Sequence, residues 1–216
     1  MLITLNRLTI PPGEHLFLHD VNWKEFNSVL AELGESRATK IAYNNGLLEL
    51  MTPLPEHERN KELISDLIKV LLEELEIEFC PLGSTTFKSE TLLKGIEPDN
   101  CFYIQNESLV RTLDRIDLNI DPPPDLVLEI DVTYRTHPDI YLALGVPELW
   151  RFEKGELQIN LLQSGNYVES ENSLVIPDFP LKQIIPQFLS QCQTQGRNQA
   201  VKQLRFWVRQ NVGWVK

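Results

Sequence analysis

Cysteine is scarce in this chain, and the three that are present do not form a recognisable group. Cys80, Cys101 and Cys192 are widely separated, odd in number and without a CxxC pair. This pattern supports neither a zinc knuckle nor a disulfide framework. We therefore expect free thiols in a reducing compartment.

Long apolar runs and the common catalytic signatures are also missing. No stretch approaches the roughly 18 apolar residues that a membrane-spanning helix needs. The start, Met1 to Arg7, lacks a charged segment followed by a long apolar one, so we predict no signal peptide and a cytoplasmic protein. Glycine-rich phosphate loops, HExxH and GxSxG are absent from the sequence.

Acidic residues are missing from the last 38 positions of a chain with a net charge of -11. Residues 179–216 contain six basic residues and no Asp or Glu. We predict a core domain over 1–178 and a basic helical extension over 179–216, packed on the core or on a partner. Lys202, Arg205 and Arg209 could contact phosphate, with Trp207 or Trp214 stacking on bases. Alternatively, this amphipathic segment docks on the acidic body or forms a homodimer interface.

The residue pattern predicts a mixed α/β domain with one central mixed sheet flanked by helices. Asn44-Asn45-Gly46 separates two short apolar runs and indicates a β-hairpin. Apolar residues recur every three or four positions in several segments, which is typical of helices. The predicted helices cover about 21–33 (capped by Asp20), about twenty residues from Glu56, 139–144, 181–189 and 201–212. The predicted strands cover 79–89 (with a bend at 81–83), 99–105, 126–132 and a meander over 148–169.

Two acidic elements on neighbouring predicted strands are the most informative feature of the sequence. The first is Glu97-Pro98-Asp99, and the second is the run from Pro124 to Asp131, in which Glu129 interrupts an apolar strand. A carboxylate is costly to bury unless a cation or a donor compensates it. Asp99 and Glu129 could therefore hold a divalent metal together, or each could pair with a basic side chain. Asp131 shares a strand face with Glu129 and is either a further site residue or a strand-end residue.

Glu58, in the first turn of the long helix, is a candidate third carboxylate. Oxygen ligands from separate elements suit Mg²⁺, which keeps open positions for water and phosphate. An acidic residue in a first turn also offsets the helix dipole without any metal. His57 is a candidate catalytic residue as well, or it makes a local hydrogen bond.

Together these motifs resemble the bacterial family of putative restriction endonucleases of the Uma type, in the PD-(D/E)XK nuclease superfamily. The resemblance covers roughly 20–165 and includes Pro55-Glu56-His57-Glu58 and the run from Gly145 to Trp150. It implies a restriction-endonuclease-like core and a metal-dependent nuclease site using Mg²⁺, or Mn²⁺, on nucleic acid, with DNA as the expected partner. Residue by residue, Asp99 matches the acid of the Pro-Asp element and Glu129 the acid of the (D/E)XK element. Glu58 matches the helix glutamate that supports the metal.

The chain departs from the superfamily pattern at one position. The superfamily has a lysine two residues after the position of Glu129, and that lysine stabilises charge on the phosphate or positions water. This chain has Asp131 there instead. Arg135, His137 and Lys88 are the nearest cationic substitutes. Two functions therefore stay open: an endonuclease acting through a metal-bound water, and a nuclease-fold module without catalysis that binds nucleic acid or a protein partner. An interaction protein that dimerises through its C-terminal segment is a third.

Overall fold

A computed structural model describes residues 8–34, 39–131 and 137–211. These residues form eleven strands and six helices. The strands are β1 His15–Leu18, β2 Lys40–Asn44, β3 Leu47–Met51, β4 Cys80–Pro81, β5 Phe87–Ser89, β6 Lys94–Ile96, β7 Asn100–Tyr103, β8 Leu126–Asp131, β9 Glu148–Glu153, β10 Glu156–Gln163 and β11 Asn166–Ser170. The helices are α1 Trp23–Leu33, α2 Pro55–Glu74, α3 Glu107–Val110, α4 Pro138–Leu144, α5 Leu181–Gln195 and α6 Arg197–Asn211. Within the described residues, no helix is long and apolar enough to cross a membrane.

The predicted central mixed sheet is present. Its six strands lie in the order β11-β10-β9-β8-β7-β4. β8 and β9 are parallel and are joined through α4, while the other neighbours are antiparallel. The register that pairs Asn100 with Leu128 brings Asp99, just before β7, beside Glu129 on β8.

A second, five-stranded sheet corrects the prediction of a single sheet. It is antiparallel, with the order β1-β3-β2-β6-β5. The predicted hairpin forms β2 and β3, and Asn45 and Gly46 take the positive φ angles that a tight turn requires. The run 79–89 is not one bent strand, because its ends pair in different sheets as β4 and β5. The cap of α1 is also corrected: Asn22, not Asp20, accepts the Glu25 N–H.

The two faces of the central sheet have different neighbours. Side chains from alternate positions of β8, including Leu126, Leu128 and Ile130, pack with α2, α5 and α6 in the largest apolar cluster. Val127, on the opposite face, packs with Phe87 and Ile96 of the second sheet and with α4. Because side chains alternate along a strand, Glu129 and Asp131 lie on the Val127 face, between the two sheets.

The basic C-terminal helices dock on the acidic body of the same chain, which was the second interpretation of this segment. Arg205 and Arg209 both bond to Glu74 at the end of α2, and Arg197 bonds to Asp66. α5 and α6 contribute to the apolar cluster under the central sheet. The boundary at residue 178 stays a prediction, and Trp214 lies outside the described residues.

We expect Glu74→Gln to lower the stability of the protein by about 1–2 kcal/mol through loss of charge-assisted hydrogen bonds. Arg209 and Arg205 lower the pKa of Glu74 to about 2 by these bonds. Because the folded-state pKa lies below the ordinary value, this stabilisation is present above about pH 4.5 and is lost as the pH falls toward 2. Thermal melts at pH 7 check the prediction.

Glu73→Gln is the matched control. Glu73 is 47% exposed and contacts one arginine, whereas Glu74 is 7% exposed and contacts two. An exposed pair contributes only a few tenths of a kcal/mol. Equal melting temperatures for the two variants would contradict a docking role for Glu74.

Candidate active site

Asp99 is held by three donors from three parts of the fold. Its carboxylate is 2% exposed. Oδ2 accepts the Ile130 backbone N–H at 2.7 Å and lies 3.1 Å from His57 Nε2. Oδ1 accepts a hydrogen bond from Lys40 Nζ. Both oxygens of this carboxylate are therefore engaged by the protein.

Lys40, at the start of β2, lies between the two predicted acids. Besides its bond to Asp99, its Nζ is 3.6 Å from Glu129 Oε2. Burial alone would lower the pKa of Lys40, but the negative charges of Asp99 and Glu129 raise it well above its ordinary value. The ammonium therefore stays charged and places a cation at the carboxyl pair.

Glu129 is buried beside Asp99 and receives a hydrogen bond from the Tyr141 hydroxyl of α4. Burial, together with the neighbouring charge of Asp99, raises the pKa of Glu129 well above its ordinary value. The pKa of Asp99 is lowered: burial opposes ionisation, but the Lys40 charge and the His57 hydrogen bond favour it more strongly. Ionisation is therefore easier at Asp99 than at Glu129, and a further cation would favour the ionised form of both.

The first turn of α2 supplies His57 and Glu58. His57 connects the two acids, because its Nδ1 lies 3.3 Å from Glu58 Oε1 while its Nε2 faces Asp99. Glu58 is 42% exposed and accepts a bond of 2.5 Å from Lys61. Glu58 and Asp99 line one cavity of about 310 Å³ together with Lys40 and Lys61. The predicted third carboxylate therefore faces the cavity of Asp99 and contacts Asp99 through His57.

Asp131 does share the Glu129 side of β8, as the strand alternation predicts, but its carboxylate is paired. It accepts a hydrogen bond from Arg151 of β9, and both side chains are buried. The residue at the usual lysine position is thus neutralised by an arginine from the parallel neighbouring strand.

The three proposed substitutes for the missing lysine have different positions. Lys88 donates to Asn27 Oδ1 at 2.6 Å on the surface. His137 Nε2 lies 2.6 Å from Glu49 Oε2, and the other Glu49 oxygen bonds to His15. His15, Glu49 and His137 line a cavity of about 70 Å³, and Lys40 and Glu129 line the same cavity. Arg135 lies outside the described residues.

The carboxyl pair offers two of the oxygen groups that a Mg²⁺ site needs. Within 8–34, 39–131 and 137–211, no group of three or more His, Cys, Asp or Glu side chains is placed to hold a metal ion. Mg²⁺ is usually bound by one or two carboxylates, with water and phosphate oxygens completing the shell. Asp99 and Glu129 provide two such groups, and an added cation would favour the ionised form of both. The donor set fits a magnesium ion that is bound mainly by solvent and substrate.

Lys40 and Tyr141 are the site residues that the sequence did not indicate. Lys40 is 59 positions from Asp99 in the chain and opens a hairpin strand, where a lysine is typically exposed. Tyr141 belongs to a short amphipathic helix and looks like an ordinary core residue. The local sequence around Lys40 and around Tyr141 does not indicate that either residue belongs to the site.

A mixed sheet with flanking helices, and an acid pair on adjacent strands, are consistent with the PD-(D/E)XK nuclease superfamily. The model of the Uma2 family, described as "Putative restriction endonuclease", matches residues 23–191. The chain belongs to this family. Among solved structures it is similar to a DUF820 protein from Anabaena variabilis ATCC 29413, described as a putative nuclease. That comparison has a TM-score of 0.46 and 16% identity, and covers 74% of this chain and 91% of the other. A comparison with curated proteins found no match.

Proposed function

We propose that the protein is a metal-dependent endonuclease that hydrolyses phosphodiester bonds of DNA at the Asp99–Glu129 pair. The observation that supports this most strongly is the position of Lys40 beside two buried carboxyl groups on neighbouring strands. Two acids and one lysine are the chemical groups of the superfamily site, although the lysine comes from β2. The description of the family supports a nuclease, and a restriction endonuclease acts on DNA.

Asp99 and Glu129 are the residues that would hold Mg²⁺ or Mn²⁺, with Glu58 facing the same cavity as a third carboxylate. The ion would lower the pKa of a bound water and offset charge on the phosphate. Ile130 N–H and His57 fix the orientation of Asp99, and Tyr141 fixes that of Glu129. Lys40 supplies a positive charge next to the reacting phosphate, the role that the superfamily gives to its lysine.

The first experiment is a cleavage assay with supercoiled plasmid, linear duplex and single-stranded RNA. Each substrate is incubated with Mg²⁺, with Mn²⁺ and with excess chelator. We expect nicking or linearisation of DNA in either metal and no product with the chelator, because the proposed reaction needs a metal-bound water. Asp99→Asn is the inactive control, and the exposed Asp114→Asn is the matched surface control.

A protein that binds Mn²⁺ but cuts none of these substrates would contradict the proposal. The alternative, a nuclease-fold module that binds without catalysis, is favoured by one observation: Asp131 replaces the lysine and is neutralised by Arg151. That module would bind duplex DNA or a protein with equal affinity in wild type and Asp99→Asn.

A further inference from the structure

Both oxygens of the Asp99 carboxylate already accept donors from the protein. Oδ2 has the Ile130 N–H and His57 Nε2 as neighbours, and Oδ1 has Lys40 Nζ. A divalent ion binds a carboxylate through the same oxygen lone pairs. It would therefore compete with these donors for Asp99, and at Oδ1 it would compete with Lys40.

Of these donors, Lys40 is the one that can move. The Ile130 N–H belongs to the backbone of β8 and is fixed by the central sheet. His57 is buried and is held on its other side by Glu58. Lys40 has a four-carbon flexible stem, a side chain that is 17% exposed, and an open cavity of about 310 Å³ in front of it.

Charge also opposes simultaneous binding. The ammonium lies next to both Asp99 and Glu129, which is where a divalent ion would have to bind. Two positive groups a few ångströms apart in a poorly solvated site repel each other strongly. The same cavity is lined by Glu58, which already bonds to Lys61 and would give the displaced ammonium a second anionic neighbour.

We propose that Lys40 occupies the cation position in the metal-free protein, leaves Asp99 when a divalent ion binds, and then faces the cavity in which the substrate phosphate would lie. The inference rests on the proposed function. It adds an exchange in which a divalent ion from solution replaces the Lys40 ammonium beside Asp99. Lys40 would stabilise the buried acid pair without metal and contact phosphate with metal. The protein would thus bind free metal weakly, because each ion has to displace an existing ion pair.

The test compares Lys40→Met with Lys88→Met, using Mn²⁺ alone as the probe. Lys88 carries the same charge but bonds to Asn27 away from the acid pair. Calorimetry should show that Lys40→Met binds Mn²⁺ about tenfold more tightly than wild type, within the usual range of coupling between two competing ligands. Lys88→Met should bind like wild type.

Thermal melts give a second, independent measure. Without metal, Lys40→Met should melt below wild type because Asp99 loses its cation. Added Mn²⁺ should then raise the melting temperature of Lys40→Met by more than that of wild type. Lys40→Gln keeps a hydrogen-bond donor for Asp99 and serves as the second variant if Lys40→Met does not fold. The same direction of change is expected for it.

The Mn²⁺ binding results separate the exchange at Lys40 from the metal site itself. If wild type binds Mn²⁺ and Lys40→Met binds it equally or more weakly, the exchange is wrong and the metal site stands. If neither protein binds Mn²⁺ at millimolar concentration, the metal site is wrong, and the exchange is wrong with it.

Discussion

Glu129→Gln is expected to reduce the proposed metal-dependent DNA cleavage by about a thousandfold or more, because an amide replaces one of the two acids proposed to hold the metal. The same change should not lower the melting temperature of the metal-free protein. Burial already favours the uncharged form of Glu129, and glutamine is close in shape to that form. The amide oxygen can still accept the Tyr141 hydroxyl. Initial cleavage rates and thermal melts on the same preparations measure both effects.

Asp99→Asn provides the contrast. It should also abolish cleavage, but it should lower the melting temperature, because the ionised Asp99 carboxylate is the acceptor for Lys40, His57 and Ile130. Glu156→Gln, at an exposed position of β10, is the control for a glutamate-to-glutamine change. Cleavage that persists in Glu129→Gln would contradict the metal role of Glu129. A drop of several degrees in its melting temperature would show that Glu129 is ionised in the metal-free fold.

The proximity of Asp99 and Glu129 could be predicted because it depends on local patterns. Each acid begins or interrupts an apolar run that has the composition of a strand, and runs that follow each other in a chain often pair in a sheet. The hairpin and the long helix were predictable for the same reason, since a tight turn and a period of 3.6 residues are local properties. The structure confirms these elements with small shifts in their ends.

The position of Lys40 depends on how two sheets pack, which local patterns do not encode. The segment 79–89 has the composition of one strand, yet it crosses from the central sheet to the second sheet. This crossing, with β6, builds the sheet that carries Lys40 over the acid pair. If a single sheet is predicted, Lys40 is expected on a solvent-facing hairpin. The prediction from sequence therefore does not place the Lys40 ammonium at the acid pair.

Asp131 shows the same division between local and non-local information. Alternation along β8 correctly places Asp131 on the Glu129 side of the strand. Its partner depends on the parallel register of β8 and β9, in which Asp131 lies opposite Glu153 and Arg151 lies opposite Glu129. The sequence gives no indication of that register, so the pairing of Asp131 with Arg151 had to come from the structure.

Asp131→Ala is expected to destabilise the protein by about 3–5 kcal/mol, the usual cost of removing one partner of a buried ion pair. Arg151 is 2% exposed, and in the described part of the chain its Nε has no hydrogen-bond partner. Glu153 Oε2 lies 3.9 Å from the guanidinium, too far for a hydrogen bond that could replace Asp131. Denaturant unfolding of wild type and Asp131→Ala measures the difference.

The double variant Asp131→Leu with Arg151→Met separates a structural role of this pair from a catalytic one. Replacing a buried ion pair by apolar side chains of similar volume is often neutral or stabilising, so the double variant should recover most of the lost stability. If the pair only supports the fold, DNA cleavage by the double variant should return with stability, because Asp99, Glu129 and Lys40 are unchanged. If stability returns and cleavage does not, then the Asp131–Arg151 pair acts in the reaction, and the position of the usual lysine belongs to a functional part of the proposed nuclease site.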